Sequence, residues 1–325
     1  MKRWGLLLIL LALSACQKQE ENYHPIFSEQ ATDARKEYVV GIHPLHNPTQ
    51  LFDIYEPVVN YIEARIPGTH FKLEASRNYA EFDKKLDSGH FDFAMPNPYQ
   101  TVRSLKHGYH VFGKMGDDDD FRGIILVRKD SGIHEISDLK GKKVAYPAPT
   151  ALAATMMPQY FLQTHGLDVN RDIENIYVGS QESAISNVLR GHVAAGATWP
   201  IPWKTFNQDH PEQAQQLEVK WQTQTLPNNG WVVRNDVSPV LTAKFAKLLF
   251  GMNASTEGKK CWHNYPSQNL RPLTTQHTKL RANTLRPSPQ PFDLSSTKRM
   301  KKTPTLVTLI RKTHAPLLCV YASLW

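Results

Sequence analysis

The sequence predicts an α/β fold in two lobes, each a mixed, mostly parallel sheet flanked by helices. Three observations predict it. From Glu37 to Phe250, short apolar runs of strand length alternate with amphipathic stretches of helical period, the pattern of parallel strands joined by crossover helices. The two halves of that stretch also echo each other. Leu86-Asp87-Ser88-Gly89-His90 leads into Phe91-Asp92-Phe93-Ala94 and a loop at Asn97-Pro98. Leu189-Arg190-Gly191-His192 leads into Val193–Ala197 and a loop at Trp199-Pro200. Between the halves lies Gly123–Tyr146, GIILVRKDSGIHEISDLKGKKVAY, which reads as strand, turn, short helix, turn and strand.

The elements follow in order. Tyr38–Ile42 is an apolar strand and Gln50–Arg65 a helix, with Leu51, Ile54, Val58, Tyr61 and Ile62 on one face. Phe71–Ala75 is a strand, Tyr79–Leu86 a helix, Phe91–Met95 a strand and Tyr99–His107 a helix. Tyr109–Lys114 and Gly123–Val127 are strands. Lys129-Asp130-Ser131-Gly132 has turn chemistry, because Gly132 can take positive φ and Asp130 or Ser131 can bond the local backbone. Ser137–Gly141 is a one-turn helix with a glycine stop. Val144–Tyr146 is a strand, Thr150–His165 a helix, Ile176–Val178 a strand, Glu182–Arg190 a helix and Ala194–Thr198 a strand. Pro211–Gln216 is a short helix, and Val219–Gln222 and Gly230–Val233 are strands. Val240–Phe250 is a helix that returns to the first lobe. The polar hinge inside Gly123–Tyr146 marks the expected first crossing between lobes, and Val233-Arg234 the second. Lobe one is then 37–126 plus 235–260, and lobe two 127–234.

Net charge is +8, but it sits in the tail. Residues 261–325 hold ten Lys and Arg against one acid, Asp293, whereas residues 1–260 balance at −1. The body lacks the basic face that nucleic-acid binding requires, so no such partner is expected. The chain opens as an export signal. Lys2 and Arg3 precede apolar Gly5–Ala12, which is too short to span a membrane. Leu13-Ser14-Ala15-Cys16 then reads as a lipobox, with a small residue before the cut and the Cys16 thiol to carry lipid. Lipidation at Cys16, a polar tether over Lys18–Lys36, and attachment at the periplasmic face of a bacterial membrane are expected. Gln17, rather than Asp, directs such a protein to the outer membrane of a Gram-negative cell. No cysteine falls between Gln17 and Lys260, so the body has no disulfide framework. After Lys260 acids vanish and Pro and Thr rise. Codons for Cys261–Pro266 read one nucleotide earlier give a more apolar, helix-compatible string. Residues 261–325 are therefore expected to be a frameshifted tail, with a basic extension as the alternative.

In open α/β sheets ligands bind beyond the carboxyl ends of the strands. That places six loops at the cleft: His43–Pro48, Asn97–Tyr99, Pro147–Ala151, Gly179–Glu182, Thr198–Trp203 and Pro227–Asn229. Thr150 opens a long helix whose free N–H groups and dipole favour an anion, and Ser180 and Gln181 open another. For Thr150 and Ser180 simple N-capping is the competing role. Asn97, Asn228 and Asn229 are neutral donors, His43 or His46 could supply charge, and Tyr99 and Trp199 could wall the cleft. No nucleophile elbow, Walker loop or dinucleotide-binding glycine turn occurs, so no catalytic residue and no cofactor are expected. Asp117–Asp120 reads as a solvated acidic loop. His43 and His46 lack a third ligand, so no metal site is expected.

The segments GIHPLHNP (41–48), FDFAMPNPY (91–99), ILVRKDSGI (125–133), DLKGKKVAY (138–146), YVGSQESAI (177–185) and AAGATWP (194–200) resemble the phosphate/phosphite/phosphonate branch of ABC-transporter substrate-binding proteins. The resemblance implies a type II periplasmic-binding clamshell, monomeric, that closes on a small oxyanion and delivers it to ABC permease and ATPase subunits. It implies no catalysis. Two departures bear on the ligand. The Ser-Thr-Ser cluster of phosphonate-binding members is matched here by Ala151-Leu152-Ala153, and the acid that serves an aminophosphonate ammonium is replaced by Pro200. An aminophosphonate is not expected. A sensor reporting to a membrane kinase uses the same clamshell and is the alternative function, beside a metal- or neutral-solute receptor.

Overall fold

The computed structural model describes residues 35–261 and the backbone of residues 270–272. The expected signal with Cys16, the tether up to residue 34, and nearly all of the basic tail with Cys319 lie outside the described residues; at the tether's expected end, Lys36 instead opens the first strand and Arg35 pairs with Glu63. The first stretch runs β1 (Lys36–Ile42), α1 (Pro48–Glu63), β2 (Thr69–Ala75), α2 (Tyr79–Asp87), β3 (Phe93–Met95), α3 (Pro98–Ser104) and β4 (Tyr109–Met115). Then come β5 (Arg122–Arg128), β6 (Lys142–Tyr146), α4 (Met157–Thr164), β7 (Ile173–Tyr177), α5 (Gln181–Leu189), β8 (Ala195–Thr198), α6 (Pro200–Asp209), α7 (Pro211–Ala214) and β9 (Leu217–Thr225). The described chain closes with β10 (Gly230–Arg234), α8 (Pro239–Gly251), α9 (Thr256–Cys261) and β11 (Leu270–Pro272).

These strands form two sheets, ordered β11-β4-β10-β3-β1-β2 and β7-β6-β8-β5-β9. In the first, β1 pairs parallel with β2 and β3, while β10 and β11 run antiparallel to their neighbours. In the second, β6 pairs parallel with β7 and β8, while β5 is antiparallel to β8 and β9. Both sheets are thus mixed, with a parallel half and an antiparallel half, and not mostly parallel.

The same pairing corrects the hinge. β5, expected in the first lobe, lies in the second sheet between β8 and β9. The chain changes sheets at residues 116–121 and returns at 226–229, in each case before the position predicted. Lys129–Gly132 is a turn within the second sheet's half, with Gly132 at φ 69°. The two crossings run side by side. Met115 N donates to Asn229 O at 2.8 Å, Leu226 N to Phe121 O at 2.9 Å, and Asn228 Nδ2 to Gly116 O at 2.7 Å. The acidic run Asp117–Asp120 is part of the first crossing, where Asp118 pairs with Lys114 and accepts from Asn228 N.

Local chemistry explains the helices that position the cleft. Asn47 caps α1 by accepting from Gln50 N, with Pro48 in the first turn, and the helix buries Leu51, Ile54, Tyr55, Val58, Val59 and Ile62. Helix α8 returns to the first sheet as expected, and Phe245 stacks on Phe93 with centroids 4.2 Å apart. The echo between halves is structural too. Gly89 and Gly191 end α2 and α5 with φ of 72° and 69°, and the chain then enters β3 or β8 beside a parallel neighbour. Two helices escaped the sequence reading, α9 and, beside the cleft, α6. Thr198–Trp203 reads as a loop because of Pro200 and Pro202, but both fall in the first turn of α6, where a missing N–H costs nothing.

Candidate ligand-binding site

A small cavity lies between the two sheets' halves, lined by His43, Tyr79, Asn97, Ala151–Ala154, Gln181 and Trp199. His43, Tyr79 and Asn97 follow β1, β2 and β3. Ala151–Ala154, Gln181 and Trp199 follow β6, β7 and β8. Every lining group therefore sits beyond the carboxyl end of a parallel strand, as the topology requires. The cavity measures about 10 Å³ for the centre of a water molecule, roughly the room for one water. As it stands the cavity is too small to hold an oxyanion, so its walls must move apart to admit one.

His43 is anchored by its own strand end. Its Nδ1 lies 2.8 Å from Met95 O, and because a carbonyl only accepts, Nδ1 carries the proton. Burial lowers its pKa to about 4, against the lifting effect of that bond and with a further push down from His46. The ring is neutral at pH 7, with Nε2 as an acceptor. Burial raises the Tyr79 phenol, which stays protonated. Gln181 spans the cleft: its Oε1 accepts from Thr198 Oγ1 at 2.9 Å, and its Nε2 donates to Tyr79 Oη at 3.4 Å. The Tyr79 proton is left for another acceptor.

Asn97 also joins the halves. Its Oδ1 accepts from Gln100 N while Gln100 Oε1 accepts from Asn97 N, a capping box at the start of α3. Its Nδ2 donates to Thr150 O across the cleft at 2.8 Å. Gln100 is itself fixed by donating to Asp83 Oδ1 at 2.6 Å.

The turn that follows Thr150 differs from expectation. No helix starts at Thr150. Ala151 is the cap position, Leu152–Met156 form a π turn, and α4 begins at Met157. Pro158 has no N–H to give to the carbonyl of Ala154, and the turn before it widens. Gly123 lets β5 press against this turn, since a Cβ there would fall 2.5 Å from Ala153 O. The N–H groups of Leu152, Ala153 and Ala154 precede the first intrahelical bonds at the cavity wall.

Of the residues singled out in the sequence, His43, Asn97, Gln181 and Trp199 line the cavity. Trp199 is 3% exposed and packs 5.7 Å from Phe121 at the crossing. Thr150 lends its carbonyl to Asn97, starts no helix and is absent from the cavity lining. Ser180 is a plain N-cap, accepting from Ser183 N at 3.0 Å. Tyr99 stands half-buried on α3, away from the cavity wall. His46 is buried and turned toward Glu182. Asn229 is fully buried, with neither side-chain polar atom hydrogen-bonded among the described residues. Continuing the Ala94–Val232 register places it opposite Asn97. Sequence reasoning missed Tyr79, which reads as the first residue of a helix, although it follows a strand end as the chosen loops do. It also passed over Glu182 at the edge of a chosen loop.

Comparison with known proteins agrees with this fold. A family model described as ABC transporter, phosphonate, periplasmic substrate-binding protein matches residues 40–278, which runs past Lys260 into the tail. A probable ABC transporter phosphite-binding protein, PhnD1 of Prochlorococcus marinus, is 25% identical over 205 residues, covering 60% of this chain and 63% of that protein. The tetrathionate sensor histidine kinase TtrS of Salmonella typhimurium is 23% identical over 176 residues, covering 50% of this chain and 28% of the kinase. The chain thus spans less than two thirds of the length of either relative. The solved structure of Prochlorococcus marinus PhnD1 in complex with methylphosphonate aligns with a TM-score of 0.68 at 17% identity, over 74% of this chain and 94% of that one. That likeness shows the fold, the type II two-lobed architecture of periplasmic binding proteins. With the family model matching most of its length, the chain belongs to the periplasmic substrate-binding protein family of phosphonate ABC transporters.

Proposed function

We propose that this protein captures a small oxyanion of the phosphite or phosphonate class between its lobes and passes it to an ABC importer. In this reading it is exported, anchored by lipid at Cys16, acts as a monomer, and meets permease and ATPase subunits as partners. It carries out no chemical step. The observation that carries the reading is the cavity of neutral polar groups where the two sets of strand ends meet. The free N–H groups of Leu152–Ala154 and the Tyr79 hydroxyl are donors for an anion. His43 Nε2 is an acceptor for a ligand proton, which suits a protonated oxyanion. With no acid after Trp199, an aminophosphonate has no partner for its ammonium group.

The test is a thermal-shift and calorimetry screen of the full chain against phosphite, methylphosphonate, phosphate, sulfate, tetrathionate and neutral solutes. A ligand at a hundred times its Kd stabilises by about 2.7 kcal/mol. Stabilisation by phosphite or methylphosphonate is expected, and no shift with any oxyanion overturns the reading. The similarity to TtrS favours a second reading, a sensor that reports occupancy to a kinase. Deleting the gene and measuring uptake of labelled ligand separates the two, because only a transport role lowers uptake.

A further inference from the structure

The polar stretch inside Gly123–Tyr146 is not the hinge, and it shapes a second cavity instead. Arg128, Asp130, Lys142, Lys143 and His192 line it, with buried Ile133 among its walls. It measures about 560 Å³ for the centre of a water molecule, within the roughly 300–1,000 Å³ of small-molecule pockets. Arg128 ends β5, Lys142 opens β6 and His192 precedes β8. Because β5 runs antiparallel to β8 and β6 parallel to it, all three stand at the end of the second sheet remote from the cleft. Arg128 is already engaged. Its Nε and Nη2 donate to the two oxygens of Asp130 at 2.8 and 2.7 Å, and Nη1 donates to Leu189 O at 2.5 Å. Lys142 and Lys143 are exposed, and neither forms an ion pair or side-chain hydrogen bond among the described residues. Asp138 acts on Lys142 through space, but its carboxylate already accepts from the N–H groups of His134 and Glu135 at 2.8 Å. Glu174 stands opposite Lys143 in the β6–β7 register without pairing to it.

We propose that this cavity is a second ligand site, which takes a phosphate-bearing dianion, either free in solution or as a lipid head group. A lysine-rich face is most often simply solvated, but here the two unpaired ammonium groups border a concavity. The body balances at −1 over residues 1–260. The cavity instead carries net +2, from Arg128, Lys142 and Lys143 against Asp130, and a cleft lined by one sign of charge concentrates the opposite ion. The donor set selects phosphate over carboxylate. A planar carboxylate is gripped best by a guanidinium fork, and the fork that lines this cavity is closed by Asp130. Lysine ammonium groups are point charges with rotatable donors, which suit the outward oxygens of a tetrahedral phosphate. Neighbouring strand residues leave on opposite faces, so Lys142 and Lys143 border the cavity from two sides, and a ligand with two charged centres fits them better than a single ion. The site does not rest on the oxyanion reading. The five residues of β6, at about 3.3 Å each, separate it from the cavity between the lobes.

The test titrates the full chain with inorganic pyrophosphate by calorimetry, and with vesicles of phosphatidylglycerol beside phosphatidylcholine by co-sedimentation. Wild type is compared with the double variant Lys142→Gln/Lys143→Gln. Both lysines are exposed, so the variant is expected to keep its melting temperature. Binding is expected to weaken by about tenfold or more in the variant, because two charge-assisted bonds are lost. Weakening with pyrophosphate assigns a free ligand, and weakening with phosphatidylglycerol vesicles alone assigns a head group. Mass spectrometry locates the site. The bound probe is expected to slow acetylation of Lys142 and Lys143 and to leave exposed Lys72 on β2 unchanged. No binding of either probe overturns the site, as does binding that the double variant retains. Failure of the cleft to bind any oxyanion changes neither readout, so the two readings fail separately.

Discussion

Asn97 Nδ2 donates to the backbone carbonyl of Thr150 at 2.8 Å, while Oδ1 of the same amide caps helix α3. One side chain thus fixes a helix in one lobe and holds the other lobe shut. Asn97→Ala removes both bonds. The cap is worth about 1 kcal/mol and the interlobe bond about 1 kcal/mol more. Asn97→Asp keeps the cap acceptor but sets an anion against the Thr150 carbonyl. The melting temperature is expected to fall in the alanine variant and to recover in part in Asp, while scattering reports more open lobes in both. Equal melting temperatures in the two variants would falsify the dual role.

Gln181→Leu deletes the amide that joins Thr198 to Tyr79. It leaves the buried Thr198 hydroxyl without its acceptor and costs about 1–3 kcal/mol. Binding of methylphosphonate or phosphite should weaken by more than folding does, because the Tyr79 hydroxyl loses its orienting partner. Calorimetry beside a urea melt checks this, and a variant that loses stability while binding normally would remove Gln181 from the site.

Acid should destabilise the fold through His43. Its pKa falls from the ordinary 6.5 to about 4 in the folded chain. The unfolded chain therefore binds more protons between these values, and stability rises with pH across that window. The stabilisation is complete above pH 6.5 and is lost as pH falls through 4, to the extent of roughly 3 kcal/mol. Urea denaturation at pH 4.5 and pH 7 should show a gap between these conditions that His43→Gln narrows. An unchanged gap would assign the acid sensitivity elsewhere.

Gly196→Ala should loosen α5. A Cβ at that position would lie 2.5 Å from Val188 Cγ2 and 2.8 Å from the Ala184 carbonyl oxygen, and the backbone cannot give way without moving the helix. A cost of about 1–3 kcal/mol is expected. The shift also displaces Gln181 and Glu182 at the other end of α5. The check is the melting temperature, and a variant matching wild type refutes the tight contact.

The order of elements was legible because alternating periodicity survives in a single chain, and topology then named strand ends that the structure brings together at the cavity. Of the residues singled out in this way, His43, Asn97, Gln181 and Trp199 line the cavity. Partnership was not legible. Gly123–Val127 is an apolar run that would suit either sheet, and its assignment depends on pairing with β9, far along the chain. The polar turn at Lys129–Gly132 was the stronger local signal but belongs inside one sheet's half. Tyr79 was hidden because a residue opening a helix reads as a local feature, whereas its role comes from Gln181 in the other lobe. His46 and Glu182 each read as a loop polar group, and only folding brings them together. Ser180 and Thr150 show the reverse case, where sequence allowed two roles and the structure gives Ser180 the cap alone and Thr150 neither.

The paired crossings at residues 116–121 and 226–229 bear on what the molecule can report. Two backbone straps bonded side by side permit bending about one axis and resist sliding or shearing. Movement of one half against the other is thereby channelled toward a single angle. In the proposed role, a permease or sensor that docks across both lobes would need to gauge only that angle and would not have to touch the solute itself.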